Sequence, residues 1–276
     1  MDRTAVAAVF LGYGAAGPLA WMARIGYAAR GTVFLIIGIF TLLAAAGAAT
    51  HPRGMSDSLQ ALFRHPFGGV LLWVVALGLA CFGAWRLLQG VFDADQIGHD
   101  TIALLRRASY AISGVFYLGL AGATARITFQ SEHVSSEHAA HRWTRWLMAQ
   151  PLGRLLVAAI AAIFIGVAIG LAVKVFRAPY RRRLEARLFT RQWAVALGSF
   201  GIMTRAAVFL MIGTFLGFAA HDANAAEAVG FAGALQELQR QSYGGVLLAI
   251  AGCGLIAFGG FEFLEAVARR VHAPKL

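Results

Sequence analysis

Six long apolar stretches, separated by short polar segments, dominate the chain. They run from about Ile25 to Ala49, Phe67 to Phe92, Ala108 to Phe129, Leu152 to Phe176, Trp193 to Ala220 and Tyr243 to Ala268. A helix that crosses a hydrocarbon core about 30 Å thick needs roughly 20 such residues. None of the six shows period-2 alternation, and a barrel strand would be about half as long. Lipid offers no partner for a backbone N–H or C=O, so each crossing has to satisfy them internally. The pattern therefore predicts an all-α polytopic membrane protein with six transmembrane helices. A further apolar lead, Ala5 to Ala20, is broken by Gly12, Gly14, Gly17 and Pro18. It is expected to be an interfacial or loosely ordered lead-in. A signal peptide is disfavoured, because Pro18-Leu19-Ala20 makes a poor cleavage site.

Composition narrows the class further. Of 276 residues, 59% are hydrophobic and 13% charged, with a mean hydropathy of +0.68. Soluble domains are typically about a quarter charged. The wealth of Phe, Leu, Ile and Val excludes a disordered chain. Two cysteines, Cys81 and Cys253, cannot staple a scaffold. The net charge of +11 would suggest nucleic acid in a soluble protein. Here the basic residues lie between the apolar stretches, so no nucleic acid is expected. They read instead as topology signals and contacts with anionic lipid headgroups. With the N-terminus cytoplasmic, 17 Lys and Arg fall inside and 7 outside. Six helices then place both termini in the cytoplasm, and the densest basic run, Arg177 to Arg191, also faces inward.

The strongest signal is internal repetition. Shifting Leu59–Trp85 by 176 residues onto Leu235–Phe261 gives 13 identities in 27 positions. They include Gln60/Gln236, Arg64/Arg240, Gly78/Gly254, Phe82/Phe258 and Gly83/Gly259. The preceding helix repeats as well, through Gly26/Gly201, Arg30/Arg205, Phe34/Phe209 and Gly38/Gly213. A weaker middle copy matches at Tyr27/Tyr110, Gly31/Gly114, Leu35/Leu118, Pro66/Pro151 and Gly68/Gly153. Shared hydrophobicity does not explain the matched Arg and Gln. The chain is read as three tandem helix pairs, over residues 21–92, 103–177 and 193–270. Each pair crosses twice, so the copies share one orientation and are related by an axis along the membrane normal. The expected assembly is a six-helix bundle with approximate threefold symmetry.

These residues resemble a known family. Arg24-Ile-Gly-Tyr-Ala-Ala-Arg-Gly31, then Leu59-Gln-Ala-Leu62, Pro66-Phe-Gly68 and Trp85-Arg86 look like the bacterial membrane family catalogued as domain of unknown function 1206. The likeness runs from about Trp21 to Arg270. The middle copy departs from it with Ser113 in place of Arg30, and the third with Phe261-Glu262 in place of Trp85-Arg86. The resemblance implies an integral protein of the bacterial cytoplasmic membrane, and it brings no activity and no catalytic residue.

Candidate chemistry is sparse. Arg30, Arg86, Arg205 and Glu262 are expected near the cytoplasmic ends of their helices. A long Arg there usually snorkels to lipid phosphate. The alternative is a ring of these four around the pseudo-axis, making an inter-repeat ion pair or the mouth of a narrow path. His133, His138 and His141 form an outward cluster that could bind Zn²⁺ or Cu²⁺, although three histidines in a solvated loop is the blander expectation. Gly166-x-x-x-Gly170 and Gly213-x-x-x-Gly217 are expected to pack helices closely. No nucleophile elbow, phosphate loop or Cys-x-x-Cys is present, so no enzyme activity is assigned and no cofactor is expected. The leading functional expectation is a membrane scaffold or accessory protein that packs with lipid or another membrane protein. A small channel or permease along the axis stands second, and the outward metal site third.

Overall fold

A computed structural model describes residues 18–48, 52, 58–59, 68–93, 98, 100–129, 136–177 and 191–268. Among them are helices α1 (Pro18–Ala45), α2 (Gly68–Val91), α3 (Thr101–Phe129), α4 (Ser136–Met148), α5 (Gly153–Arg177), α6 (Arg191–Asp222), α7 (Phe231–Arg240) and α8 (Gly244–Ala268). There is no strand among the described residues. Six helices (α1, α2, α3, α5, α6 and α8) are long and apolar enough to cross a membrane. The lead before residue 18 and most of the Arg177–Arg191 segment lie outside the described residues. For orientation, the start face is the end where α1, α3 and α6 begin, and the hairpin face is the opposite end.

The observed ends follow the apolar pattern closely except at two starts: α1 begins at Pro18 and not near Ile25, and α3 begins at Thr101 and not near Ala108. Hydropathy stops at Arg106-Arg107, but the helix carries through them. Arg107 folds back on the end of α2, where its guanidinium donates to the carbonyls of Gly90 (2.9 Å) and Val91 (2.7 Å). A cation at a helix C-terminus satisfies orphan carbonyls and the dipole together. Arg154, at the start of α5, does the same for Ala220 (3.0 Å) at the end of α6. These basic residues therefore tie helix ends together.

The repeats pack crosswise. Each first helix lies mainly against the second helix of a neighbouring repeat: α1 on α8, α3 on α2, and α6 on α5. Glycine sets how close they come. A Cβ on Gly31 would meet the Gly259 carbonyl oxygen at 2.9 Å, and one on Gly114 would meet that of Gly83 at 2.9 Å. These are the same two repeat positions at two interfaces. Likewise a Cβ on Gly38 would meet the Gly252 oxygen at 2.9 Å, and one on Gly213 would meet that of Ala161 at 3.1 Å. Small residues matter here because lipid supplies no hydrophobic drive between helices, which leaves close van der Waals contact to hold them.

Within the repeats the symmetry breaks. Helix α1 crosses α2 and α6 crosses α8, but α3 and α5 form no comparable interface among the described residues. The spans run α3–α2–α1–α8–α6–α5 as an arc, not a closed ring. The sequence supplies the cause. At the two crossings that form, a Cβ on Gly26 would meet Phe82 Cα at 2.7 Å, and one on Gly201 would meet Phe258 Cα at 2.5 Å. The middle repeat has Ser109 at that glycine position. It also carries Ile163 where the others have Gly78 and Gly254, and Val167 where they have Phe82 and Phe258. Ile163 is 52% exposed and Val167 37% exposed. Only 17% of the α5 span is buried in the molecule, against 56% of the α8 span. The expected close packing holds for Gly213, but Gly166, Gly170 and Gly217 have open space before them.

Gly26→Val or Gly201→Val forces two backbones apart and is expected to cost about 1–3 kcal/mol. Gly166→Val should leave stability within about 0.5 kcal/mol. Thermal denaturation of the purified protein in detergent checks both.

Candidate functional site

Arg30 lies nine residues past Trp21, where the α1 span begins. At 1.5 Å per residue that is about 13 Å inside the span. The residue is 5% exposed, and its Nη1 lies 3.1 Å from Glu262 Oε2 on α8. This joins the first repeat to the third. The contact is close but off-axis, since Oε2 accepts no aligned hydrogen bond. Its strength is therefore mainly Coulombic.

Aromatic rings complete the surroundings. The Arg30 guanidinium carbon lies 4.9 Å from the Phe82 ring centre, 5.0 Å from Phe258, 5.5 Å from Tyr117 and 5.8 Å from Phe34. The rings brace one another edge to face, with Phe82–Tyr117 centres 4.7 Å apart and Phe34–Phe258 centres 4.8 Å apart. The negative ring faces attract a cation without supplying a counter-charge. Phe34, Tyr117 and Phe209 occupy one repeat position, and Phe82 and Phe258 another. The cage is thus assembled from repeat-equivalent residues on α1, α2, α3 and α8.

Two more guanidiniums join it. Arg205 stacks on Phe258 (4.5 Å), Phe209 (5.0 Å) and Phe34 (5.3 Å). Arg86 stacks on Tyr110 (4.8 Å) and Phe82 (5.1 Å), and donates to Gln89 Oε1 at 3.3 Å. Arg30, Arg86 and Arg205 all lie within electrostatic reach of Glu262, and Glu265 within reach of Glu262 and Arg30. Three cations therefore face two carboxylates. Four donors of this region are buried with no hydrogen-bond partner among the described residues, Nε of Arg30, Arg86 and Arg205 and Trp85 Nε1, against one such acceptor, Glu262 Oε2. Buried polar groups usually find partners, so the cluster has more N–H donors than acceptors.

Of the residues singled out from sequence, the structure brings Arg30, Arg86, Arg205 and Glu262 together. The snorkelling expected of Arg30 does not occur: a guanidinium this deep meets Glu262 and four rings before it could reach a headgroup. Sequence reasoning passed over the rings. Their signal was present, since Phe stands four residues after Arg in two copies and Phe82 and Phe258 match. On the hairpin face, His141 Nδ1 lies 3.1 Å from the Ala225 carbonyl oxygen. His138 shares the helical α4 with it, but the His138 side chain and all of His133 lie outside the described residues. No group of three potential metal ligands converges among the described residues.

This architecture, repeated helix pairs spanning a membrane around a buried arginine–aromatic core, defines a polytopic α-helical membrane protein. The chain belongs to the family Domain of Unknown Function (DUF1206), which matches it three times, over residues 25–93, 108–178 and 200–269. It is similar to "Uncharacterized protein YxxB" of Bacillus subtilis (strain 168), with 32% identity over 248 residues, covering 88% of this chain and 89% of the relative. No solved structure is similar to it.

Arg30→Met or Glu262→Met alone strands a buried charge and is expected to cost about 3–5 kcal/mol. The double substitution should restore most of that. Melting in detergent distinguishes the cases: additive losses would mean the two side chains do not act as a pair.

Proposed function

We propose that the protein is a non-enzymatic accessory protein of the bacterial cytoplasmic membrane that takes lipid acyl chains into the opening between α3 and α5. One observation carries this reading: among the described residues α3 and α5 form no crossing comparable to the other two, which are closed at van der Waals contact. The positions that would have closed it, Ile163 and Val167, are apolar and exposed. With the bilayer as solvent, an apolar cleft between two spans fills with hydrocarbon. Trp143 and Trp146 of α4, 67% and 55% exposed, suit the headgroup level at the hairpin face.

A channel along the axis is less favoured. A permeation path wants a polar lining, whereas Phe34, Phe82, Tyr117 and Phe258 close around Arg30. The loop bias of 17 basic residues to 7 supports cytoplasmic termini.

Native mass spectrometry of detergent-purified protein tests the lipid reading. A one-to-one phospholipid adduct is expected, and Ile163→Trp with Val167→Trp should remove it by filling the opening. An adduct of unchanged abundance in the filled variant overturns the reading. Separately, a reporter fused after residue 185 should appear on the cytoplasmic side, and its appearance outside would invert the topology.

A further inference from the structure

Arg30 and Arg205 hold the same repeat position, yet among the described residues only Arg30 has a carboxylate at ion-pair distance. Arg30 meets Glu262 across the α1–α8 interface. The equivalent interface for Arg205 is that of α6 with α5. The α5 residue matching Glu262 by repeat is Leu171, a half-buried apolar side chain packed on the core. Arg205 thus stands twelve residues into its span with its Nε sealed from solvent and without a hydrogen-bond partner. No carboxylate lies at ion-pair distance from it among the described residues.

An Arg at mid-span is costly, and in membrane proteins such residues commonly mark a functional site. The three rings beneath Arg205 attract its charge without neutralising it. The excess of cations over carboxylates and the orphaned Nε and Nε1 donors have one chemical complement, an anion rich in acceptor oxygens. Arginine matches phosphate in this role, through parallel N–H···O bonds. Phe34 wall the guanidinium on the α1 side and Phe258 on the α8 side. The side left is that of the middle repeat, where α3 and α5 stand apart. There Tyr117 is within electrostatic reach of Arg205, and half-buried Ser113 replaces the third arginine.

We propose that Arg205, with Arg86 and Tyr117 beside it, binds a phosphate group reaching the cluster through the α3–α5 opening. This rests on the reading that the opening admits lipid, and it adds which headgroup chemistry is held. The phosphate comes either from a phospholipid whose chains lie in the opening or from the free ion.

Native mass spectrometry and thermal shifts, on the full chain in detergent, separate these. The probes are phosphatidic acid, diacylglycerol with the same acyl chains, and inorganic phosphate. The wild type should bind phosphatidic acid on the order of tenfold more tightly than diacylglycerol. Arg205→Met should abolish that preference while still binding diacylglycerol, and Arg205→Lys should keep part of it. If inorganic phosphate alone raises the melting temperature through Arg205, the free ion is the ligand; if only phosphatidic acid does, the lipid is. Equal binding of phosphatidic acid and diacylglycerol by the wild type, with no shift from inorganic phosphate, overturns the phosphate site and leaves the lipid-filled opening standing. A preference that survives Arg205→Met overturns it too. If Arg205→Met does not fold, the Arg205→Lys comparison and the wild-type lipid preference decide.

Discussion

A guanidinium placed deep in a hydrocarbon layer must find its solvation inside the protein. That constraint organises this fold. Arg30 is accommodated because four rings and one carboxylate arrive from α1, α2, α3 and α8. Those helices can converge only because glycine lets their backbones touch, at Gly31 against Gly259 and Gly83 against Gly114. The charge cluster and the glycine contacts are two aspects of one arrangement. Loosening the crossings would admit lipid to the cations, and losing the ion pair would leave the most extensive helix interface wrapped around a bare charge.

The repeats share a backbone plan and differ in what they place on it. At one position on the first helices stand Arg30, Ser113 and Arg205; at one position on the second helices stand Arg86, Leu171 and Glu262. The three interfaces that bring these together consequently hold Arg with Glu, Ser with Arg, and Arg with Leu. A threefold scaffold thus carries an asymmetric distribution of charge. The middle repeat also gives up the Gly26, Gly78 and Phe82 positions, to Ser109, Ile163 and Val167, and with them its own crossing. Among the described residues, the arginine without an ion-pair partner and the absent crossing both arise where the middle repeat diverges.

Much of this was legible in the chain. Helix existence follows from hydropathy, since nothing else crosses lipid except a closed barrel. The Gly26/Gly201 and Gly31/Gly114 matches were legible as repetition alone; that they are backbone contacts is visible only in the fold. The partner of Arg30 was harder to read, because Glu262 aligns with Arg86 and breaks the pattern that located everything else. The snorkelling rule failed at Arg30 because it considers one helix in lipid, whereas the rings that hold this arginine come from four. Gly166 and Gly170 misled in the opposite sense: a small-residue spacing permits close approach but supplies no neighbour. The start of α3 lay beyond the reach of hydropathy, since Arg107 is stabilised by carbonyls of α2 that are adjacent only after folding.

The seam between α1 and α8 has a consequence for biogenesis. Arg30 emerges from the ribosome in the first described helix, and its carboxylate resides in the last. Until α8 has been made, α1 carries an uncompensated cation into the translocon or the lipid beside it. The helix has to wait, held at the insertion machinery or tilted so that its charge stays wet, until α8 arrives. Spans inserted without α8 would leave Arg30 short of its carboxylate, so closure of this seam depends on the last of the described helices.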